Sequence, residues 1–155
     1  MKIRLVQDKD YAGIARLHRA TIRNVNSKDY SKDIIEVWSG RTNAKRFRSN
    51  ADRCKRWVAV ENYKVVGFVD HSLDGELWGL YVHKDYIGKG IGRRLLKLAE
   101  DSIKKLGCKK ITLKSTVTAK DFYKKHGYKV IKKSLHPIGS KNIEIYVMKK
   151  VLDGG

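Results

Sequence analysis

One segment constrains the fold of this chain more than any other. Between residues 79 and 96, a short apolar strand, a glycine-rich loop and an amphipathic helix follow one another directly, with glycines at Gly88, Gly90 and Gly92. Glycine lets a backbone approach a ligand closely because it has no Cβ. Amides at the start of a helix have no helical partners, and the helix dipole adds partial positive charge there. The segment therefore predicts a seat for a phosphate or pyrophosphate.

The glycine spacing excludes two common phosphate-binding motifs. A P-loop needs glycine, four residues and then Gly-Lys-Ser/Thr, but Gly90 follows Gly88-Lys89 here and no Ser or Thr stands where magnesium would be held. A dinucleotide fingerprint needs G-x-G-x-x-G. Its third glycine position falls on Arg93 or Leu95, depending on which glycine starts the count. An ordinary strand-to-helix turn stays the alternative to a phosphate site.

Length and composition predict one domain, covering residues 1–150, with a frayed tail at 151–155. A chain of 155 residues can bury a substantial core, and no linker-like stretch divides it. No run is long enough to span a bilayer, and the N-terminus has no signal-peptide core. Cys54 and Cys108 are isolated and lack metal-ligand spacing, which favours reduced thiols in a cytoplasmic protein without a metal site.

The net charge of +19 admits two interpretations. A basic face can bind nucleic acid. However, lysines outnumber arginines by more than two to one and are scattered along the chain, without the aromatic interleaving typical of RNA-binding proteins. We therefore favour a lysine-rich surface, which would also attract an anionic cofactor. The sequence leaves the oligomeric state open, a homodimer included.

The order of predicted elements is β-α-α-(α)-β-β-β-α-β-α-β-β. It indicates an α/β (α+β) fold with a central mixed sheet, mostly antiparallel, and helices on both faces. Ser31 is a candidate N-cap and Gly107 a candidate C-cap. The stretch 41–52 predicts a helix with a solvated face, 117–126 predicts a helix, and Pro137 and Gly139 are expected in a loop between the last two strands.

Two motifs in this order carry a resemblance to a known family. The glycine loop, preceded by Leu80-Tyr81-Val82, is followed about 30 residues later by the segment 119–128, which contains Phe122-Tyr123. Together they resemble the GNAT superfamily of acetyl-CoA-dependent N-acetyltransferases, over Ile3 to about Lys150. The family's loop begins with Gln or Arg, and this chain has Ile87 there. The segments 25–38 and 116–119 further resemble the YafP-type subgroup, which names no substrate.

The resemblance implies a binding site for acetyl-CoA. The backbone of Leu80, Tyr81 and Val82, splayed from the next strand, would pair with the pantetheine arm as an added strand does. Amides of the loop would wrap the pyrophosphate, with added charge from Lys89 or Arg93. Thr116 replaces a longer asparagine, and Ala119 and Phe122 would line the pantetheine channel. The implied cofactor-binding set is Leu80, Tyr81, Val82, Ile87, Gly88, Lys89, Gly90, Ile91, Gly92, Arg93, Thr116, Ala119, Phe122 and Tyr123.

Amide formation needs a neutral amine and a proton for the departing sulfur. By resemblance, Tyr123 is the acid, with a packed helix aromatic as the alternative. Glu76 stands where several family members carry a general base, and a solvent-facing strand carboxylate is its alternative. Four acids between Asp70 and Asp85 either form an anionic pocket for a cationic amine or are solvated turn residues.

The expected function is direct transfer of acetyl from acetyl-CoA to a primary amine of a small molecule or peptide. The alternative is a non-catalytic acyl-CoA-binding or nucleic-acid-associated regulatory module on the same fold, which the departures at Ile87 and Thr116 support. In this fold the acceptor is chosen by the first helices and the late loop, here about 24–41 and 134–142. These segments contain no motif that names a substrate.

Overall fold

A computed structural model describes residues 1–152 as a seven-stranded sheet with helices on both faces. The strands are β1 (Lys2–Leu5), β2 (Cys54–Glu61), β3 (Lys64–Ser72), β4 (Glu76–Val82), β5 (Lys110–Thr116), β6 (Lys129–Ile138) and β7 (Lys141–Val151). The helices are α1 (Tyr11–Asn24), α2 (Lys32–Gly40), α3 (Ala44–Ser49), α4 (Ile91–Lys105) and α5 (Lys120–Lys125). The predicted fold class is confirmed. Among these residues, no helix is both long and apolar enough to cross a membrane.

The sheet has the order β1-β2-β3-β4-β5-β7-β6, and only the β4–β5 pair is parallel. This pair is very short, because only Glu76 with Thr112 and Leu77 with Leu113 are in register. Beyond Leu77 the two strands diverge. The backbone from Gly79 to Val82 therefore pairs with β3 alone, and its other edge opens toward β5.

A β-bulge in β4 sets which side chains face each side of the sheet. Asp70 pairs with Gly79 while His71 pairs with Leu77, so Trp78 is an extra residue. The extra residue changes the alternation along the strand. Leu77, Leu80 and Val82 consequently all pack on the core that lies against α4, and Tyr81 packs on the opposite face, against α1.

The two faces carry separate apolar clusters, as the helix periodicity predicts. The α4 side is filled by a buried stripe from that helix, comprising Leu95, Leu96, Ala99 and Ile103. On the other side, α1 packs on β2 and β3, and α2 packs on β7 through Ile35 and Trp38. Ser31 caps α2 by accepting a hydrogen bond from the Ile34 amide at 3.3 Å.

The structure corrects three boundaries. Helix α5 is shorter than predicted because residues 117–119 form a turn, in which the Thr116 hydroxyl accepts the Ala119 amide at 3.1 Å. Pro137 lies inside β6 rather than in a loop, which is tolerated because β6 is an edge strand. The predicted tail begins too early, since Val151 still belongs to β7 and the Leu152 amide donates to the Lys109 carbonyl at 2.9 Å. Residues 153–155 lie outside the described part of the chain.

Candidate functional site

The glycine loop has the backbone of an anion seat. Gly88 and Gly90 adopt φ of +84° and +81°, a conformation that glycine adopts without strain. A Cβ on Gly88 would meet nothing within 4 Å, so the space above the loop is open. The first amide of α4 to find a helical acceptor is that of Arg94, which donates to the Gly90 carbonyl at 3.1 Å. The earlier amides of the helix start are therefore available to a ligand.

The third glycine joins the two predicted motifs. A Cβ on Gly92 would lie 3.4 Å from Cε1 of Phe122 and 3.7 Å from Cγ2 of Val82. Glycine at this position thus allows the α5 aromatic ring to approach the first turn of α4. The structure brings Phe122 and Ala119 onto the same core as α4, beside the end of β4.

Side chains around the loop are mostly exposed and basic. Ile87 is 55% exposed, so it can be replaced without disturbing the core. Ile91 points inward and is buried, which leaves only its backbone for a ligand. Lys89 and Arg93 are exposed, and neither forms a salt bridge with an acidic side chain in residues 1–152.

Tyr123 lies in the apolar core on the α4 side of the sheet and is 6% exposed. Its ring contacts those of Phe122 and Tyr128 edge-on, at centroid distances of 5.4 and 5.5 Å. Burial raises the pKa of the Tyr123 phenol, and nearby Tyr81 and Asp70 raise it further. The phenol is therefore protonated at any pH near neutral and can act only as a proton donor.

Tyr30 joins distant parts of the chain through its hydroxyl, a role that the sequence did not reveal. Its hydroxyl donates to the Glu144 carbonyl at 2.7 Å and accepts from the Val117 amide at 2.8 Å. It ties the segment before α2 to the ends of β5 and β7. These contacts span 87 and 114 residues, so no local pattern could reveal them.

The four acids between Asp70 and Asp85 do not gather into an anionic pocket. Asp74 accepts a hydrogen bond from Ser72, and Asp85 is exposed on the loop beside His83. Glu76 accepts a hydrogen bond from the Trp78 indole at 3.1 Å. It lies near enough to His136 to act on the pKa of that imidazole.

Asp70 is paired rather than free. Its Oδ2 accepts a hydrogen bond from Arg56 Nε at 2.7 Å, and the two residues are 3% and 2% exposed. Burial raises the pKa of the Asp70 carboxyl, while Arg56 and the Gly79 amide oppose that rise. The remaining guanidinium nitrogens of Arg56 donate to the Phe47 carbonyl and to Asn50, at 2.9 and 3.0 Å. Each of the three guanidinium nitrogens of Arg56 therefore already donates a hydrogen bond within the protein.

A cavity of about 700 Å³ lies on the α1 side of the sheet, beside β4. Its lining includes Trp78, Gly79 and Tyr81 of β4, Trp38 of α2 and Ile138 of β6. The cavity therefore borders the strand whose free edge is expected to bind pantetheine, and it lies on the α1 face of that strand. Its basic lining residues are Arg41, Arg46, Arg53, Arg56, His18 and His136.

His18 lines this cavity, and the sequence did not reveal that role. Its ring packs edge-on against Tyr81 at 4.6 Å, and its Nδ1 lies 2.7 Å from the Thr42 hydroxyl. Burial lowers the pKa of His18 to about 4, and the charges of Arg46 and Arg19 act in the same direction. The imidazole is therefore neutral at physiological pH.

Comparison with solved structures identifies the fold. The chain is similar to a GCN5-related N-acetyltransferase from Rhodopseudomonas palustris, with TM-score 0.92, 24% identity, and 97% and 95% of the two chains covered. It is also similar to PaiA N-acetyltransferase from Thermoplasma acidophilum, solved in complex with coenzyme A, with TM-score 0.76, 24% identity, and 97% and 99% coverage. A third similar structure is YncA from Salmonella typhimurium, a putative acetyltransferase solved with acetyl-CoA, at TM-score 0.71, 19% identity, and 99% and 95% coverage.

The search of curated proteins found no match. A family profile described as acetyltransferase (GNAT) domain matches residues 26–152, which is most of the chain. The match includes β4, the glycine loop, α4 and the Phe122-Tyr123 pair, and it does not extend to the narrower YafP-type resemblance, which stays a prediction. The chain therefore belongs to the acetyltransferase (GNAT) domain family.

Proposed function

We propose that this protein is an acetyl-CoA-dependent N-acetyltransferase that transfers acetyl directly to a primary amine. The observation that carries the proposal is the joining of the glycine loop to the Phe122-Tyr123 pair through Gly92, beside the open edge of β4. Two solved relatives of the fold contain coenzyme A or acetyl-CoA, which supports the same ligand here.

The residues present fit coenzyme A. The amides between Gly88 and Arg93 would hold the pyrophosphate, because they are unpaired and the space above them is open. Lys89 and Arg93 would add charge-assisted contacts. The free edge of residues 79–82 would pair with the amides of the pantetheine arm, and Ala119 and Phe122 would line that channel. The Thr116 hydroxyl is already bonded to the Ala119 amide, so its part is to hold the start of α5.

When bound, acetyl-CoA supplies an acetyl group activated as a thioester. The amine nitrogen would form a bond to the acetyl carbon, and the carbon–sulfur bond would break with its electron pair on sulfur. Tyr123 would give its phenolic proton to that sulfur and recover a proton from solvent. Its raised pKa ensures that the proton is present, and burial also disfavours the anionic sulfur that would otherwise leave.

The amine must lose a proton, and Glu76 is the proposed acceptor of that proton, directly or through water. Asp70 is nearer to the tyrosines, but Arg56 and Gly79 already occupy its carboxylate. Glu76 has only the Trp78 indole as a partner among the described side chains, so its second oxygen remains available.

The test measures acetyl-CoA binding by calorimetry and thiol release from acetyl-CoA with a panel of amines. We expect Tyr123→Phe to bind acetyl-CoA as the wild type does but to lose most of its turnover, by about 10²-fold or more. Tyr128→Phe is the matched control, because it also removes a buried hydroxyl beside Tyr123. The Tyr128 hydroxyl bonds to Glu100 at 2.7 Å, so its loss lowers stability and leaves turnover intact.

Each outcome has one meaning. Full turnover by Tyr123→Phe refutes the acid role alone, and full turnover by Glu76→Gln refutes the base role alone. Binding of acetyl-CoA without transfer to any amine leaves the non-catalytic module, for which salt-dependent DNA binding is the next measurement. Absence of acetyl-CoA binding refutes the proposal altogether.

A further inference from the structure

The cavity beside β4 has a charge that the rest of the site does not explain. It is lined by four arginines, and Asp70 is the single carboxylate among its lining residues in the described chain. Asp70 is already neutralised by Arg56 at 2.7 Å. The charges of Arg41, Arg46 and Arg53 therefore have no acidic counterpart within the cavity.

These three arginines form no salt bridge elsewhere in residues 1–152 either. Arg46 lies close enough to His18 to lower the pKa of that imidazole. Arg41 lies against the turn between β6 and β7, where its Nη1 would be 3.2 Å from a Cβ on Gly139. The three exposed arginines thus come from the end of α2, from α3 and from the segment before β2, and all three line the same cavity.

The histidines of the cavity do not add to this charge at neutral pH. Burial lowers the pKa of both His18 and His136. The cavity consequently offers neutral donors and acceptors beside three permanent cations. Guanidinium binds carboxylate and phosphate through paired, planar hydrogen bonds, so this residue type selects anions more strongly than lysine does.

Coenzyme A is not the anion that the cavity serves. Its pyrophosphate fits the glycine loop, and none of the residues that line the cavity belongs to that loop. The cavity lies on the α1 face of β4, bounded by Trp38 and Ile138, in the segments expected to choose the acceptor. Its volume of about 700 Å³ suits a small molecule.

We propose that the acceptor is a small amine that also carries a carboxylate or phosphate group, and that Arg41, Arg46 and Arg53 bind this group. The proposal rests on the acetyl transfer proposed above and names its substrate class. It excludes polyamines and other polycations as good acceptors, because their charges would be repelled by an unbalanced cationic lining. The anionic group anchors the acceptor against the arginines, and the amine then faces Tyr81 and the open edge of β4.

The experiment compares acceptors that differ only in the anionic group. Thiol release is measured with D-glucosamine 6-phosphate against D-glucosamine, and with β-alanine against 3-aminopropanol, with spermidine as the polycation. We expect kcat/KM for the anionic member of at least one pair to exceed that of its neutral partner by about tenfold or more. The pair that shows the preference identifies phosphate or carboxylate as the anion.

Variants show whether the arginines cause the preference. Arg41→Gln, Arg46→Gln and Arg53→Gln should each lower kcat/KM for the anionic acceptor by about tenfold and leave the neutral acceptor unchanged. Arg48→Gln is the matched control, since Arg48 lies on the same helix as Arg46 but bonds to Asp8 at 3.2 Å outside the cavity. Added salt should reduce the preference in the wild type by screening.

Neutral acceptors that match or exceed the anionic ones in both pairs overturn this proposal while acetyl transfer itself stands. An anionic preference that the three variants leave intact overturns it as well. If no amine of the panel is acetylated, the affinities of the same compounds are measured by calorimetry. Equal affinity for the anionic and neutral members of both pairs then overturns the proposed acceptor class. Failure of acetyl-CoA to bind refutes the proposed function separately.

Discussion

The buried Arg56–Asp70 ion pair, which lines the cavity, allows a quantitative test of how much it contributes to the free energy of unfolding. Both side chains are almost fully buried. Arg56, in β2, bonds to Asp70 of β3 and also to Phe47 and Asn50, which precede β2 in the chain. Asp70→Asn removes the negative charge but keeps the shape, which leaves the Arg56 cation without a counter-charge. Breaking a buried pair in this way costs about 3–5 kcal/mol. In a domain of this size that corresponds to a fall in Tm of roughly 6–20 °C.

A double-mutant cycle separates the pair from its surroundings. Urea unfolding is measured for Asp70→Asn, Arg56→Met and the double variant. Arg56→Met leaves an unpaired carboxylate that can neutralise itself by protonation, because burial raises the pKa of Asp70. We therefore expect the loss in Arg56→Met to diminish as the pH falls. The double variant should be more stable than the sum of the two losses predicts, by about 2 kcal/mol or more.

The exposed pair of Arg48 and Asp8 is the control for this cycle. Its side chains are 53% and 87% exposed at an Nε–Oδ1 distance of 3.2 Å, and pairs of this kind contribute about 0.2–1 kcal/mol. Arg48→Gln and Asp8→Asn should therefore change the unfolding free energy by less than about 1 kcal/mol. Losses of similar size in the buried and exposed pairs, or additive losses in the buried pair, would refute this reasoning.

Three further predictions concern single residues. The pKa of His18 is about 4 in the folded protein and about 6.5 in the unfolded chain. The unfolding free energy should therefore fall by up to about 3 kcal/mol as the pH drops from 6.5 toward 4, as measured by urea unfolding. The His18→Asn variant should not show this loss. Gly90→Ala should lower the unfolding free energy by about 1–2 kcal/mol and weaken coenzyme A binding in calorimetry, because φ is +81° at Gly90. Gly40→Ala is the control and should not destabilise the protein, because Gly40 is helical and a Cβ there would meet no atom within 4 Å. Ile87→Gln should leave coenzyme A affinity unchanged or tighter, since the backbone amides carry the binding, and a marked loss in calorimetry would show that the loop is used differently.

The parts of the structure that the sequence predicted are those fixed by local chemistry. The glycine loop, the buried stripe of α4 and the caps at Ser31 and Gly107 follow from spacing and backbone preference within one segment. The sequence did not predict that β6 extends through Pro137 to Ile138. Proline is tolerated in an edge strand but not in an inner one, and which strand lies at the edge depends on long-range strand order.

The electrostatics of the acceptor side were the least predictable feature. The stretch 41–52 was predicted to be a helix with a solvated face. Helix α3 spans only Ala44–Ser49 and buries none of its residues, and Arg41 and Arg46 are exposed but also line a cavity. The acids from Asp70 onward were compatible with an anionic pocket until the register of β2 and β3 placed Arg56 opposite Asp70. Both outcomes depend on which segments meet across the sheet, and a count of charges along the chain contains no such information.

The short parallel pairing of β4 with β5 also has a mechanical consequence. Each half of the sheet is built from one continuous part of the chain, since β1–β4 precede α4 and β5–β7 follow it. The halves share only two residue pairs, so a small rocking of one against the other strains few hydrogen bonds. Opening of the cleft between the halves would therefore break few backbone hydrogen bonds, and amide exchange at Leu77 and Leu113 would report it.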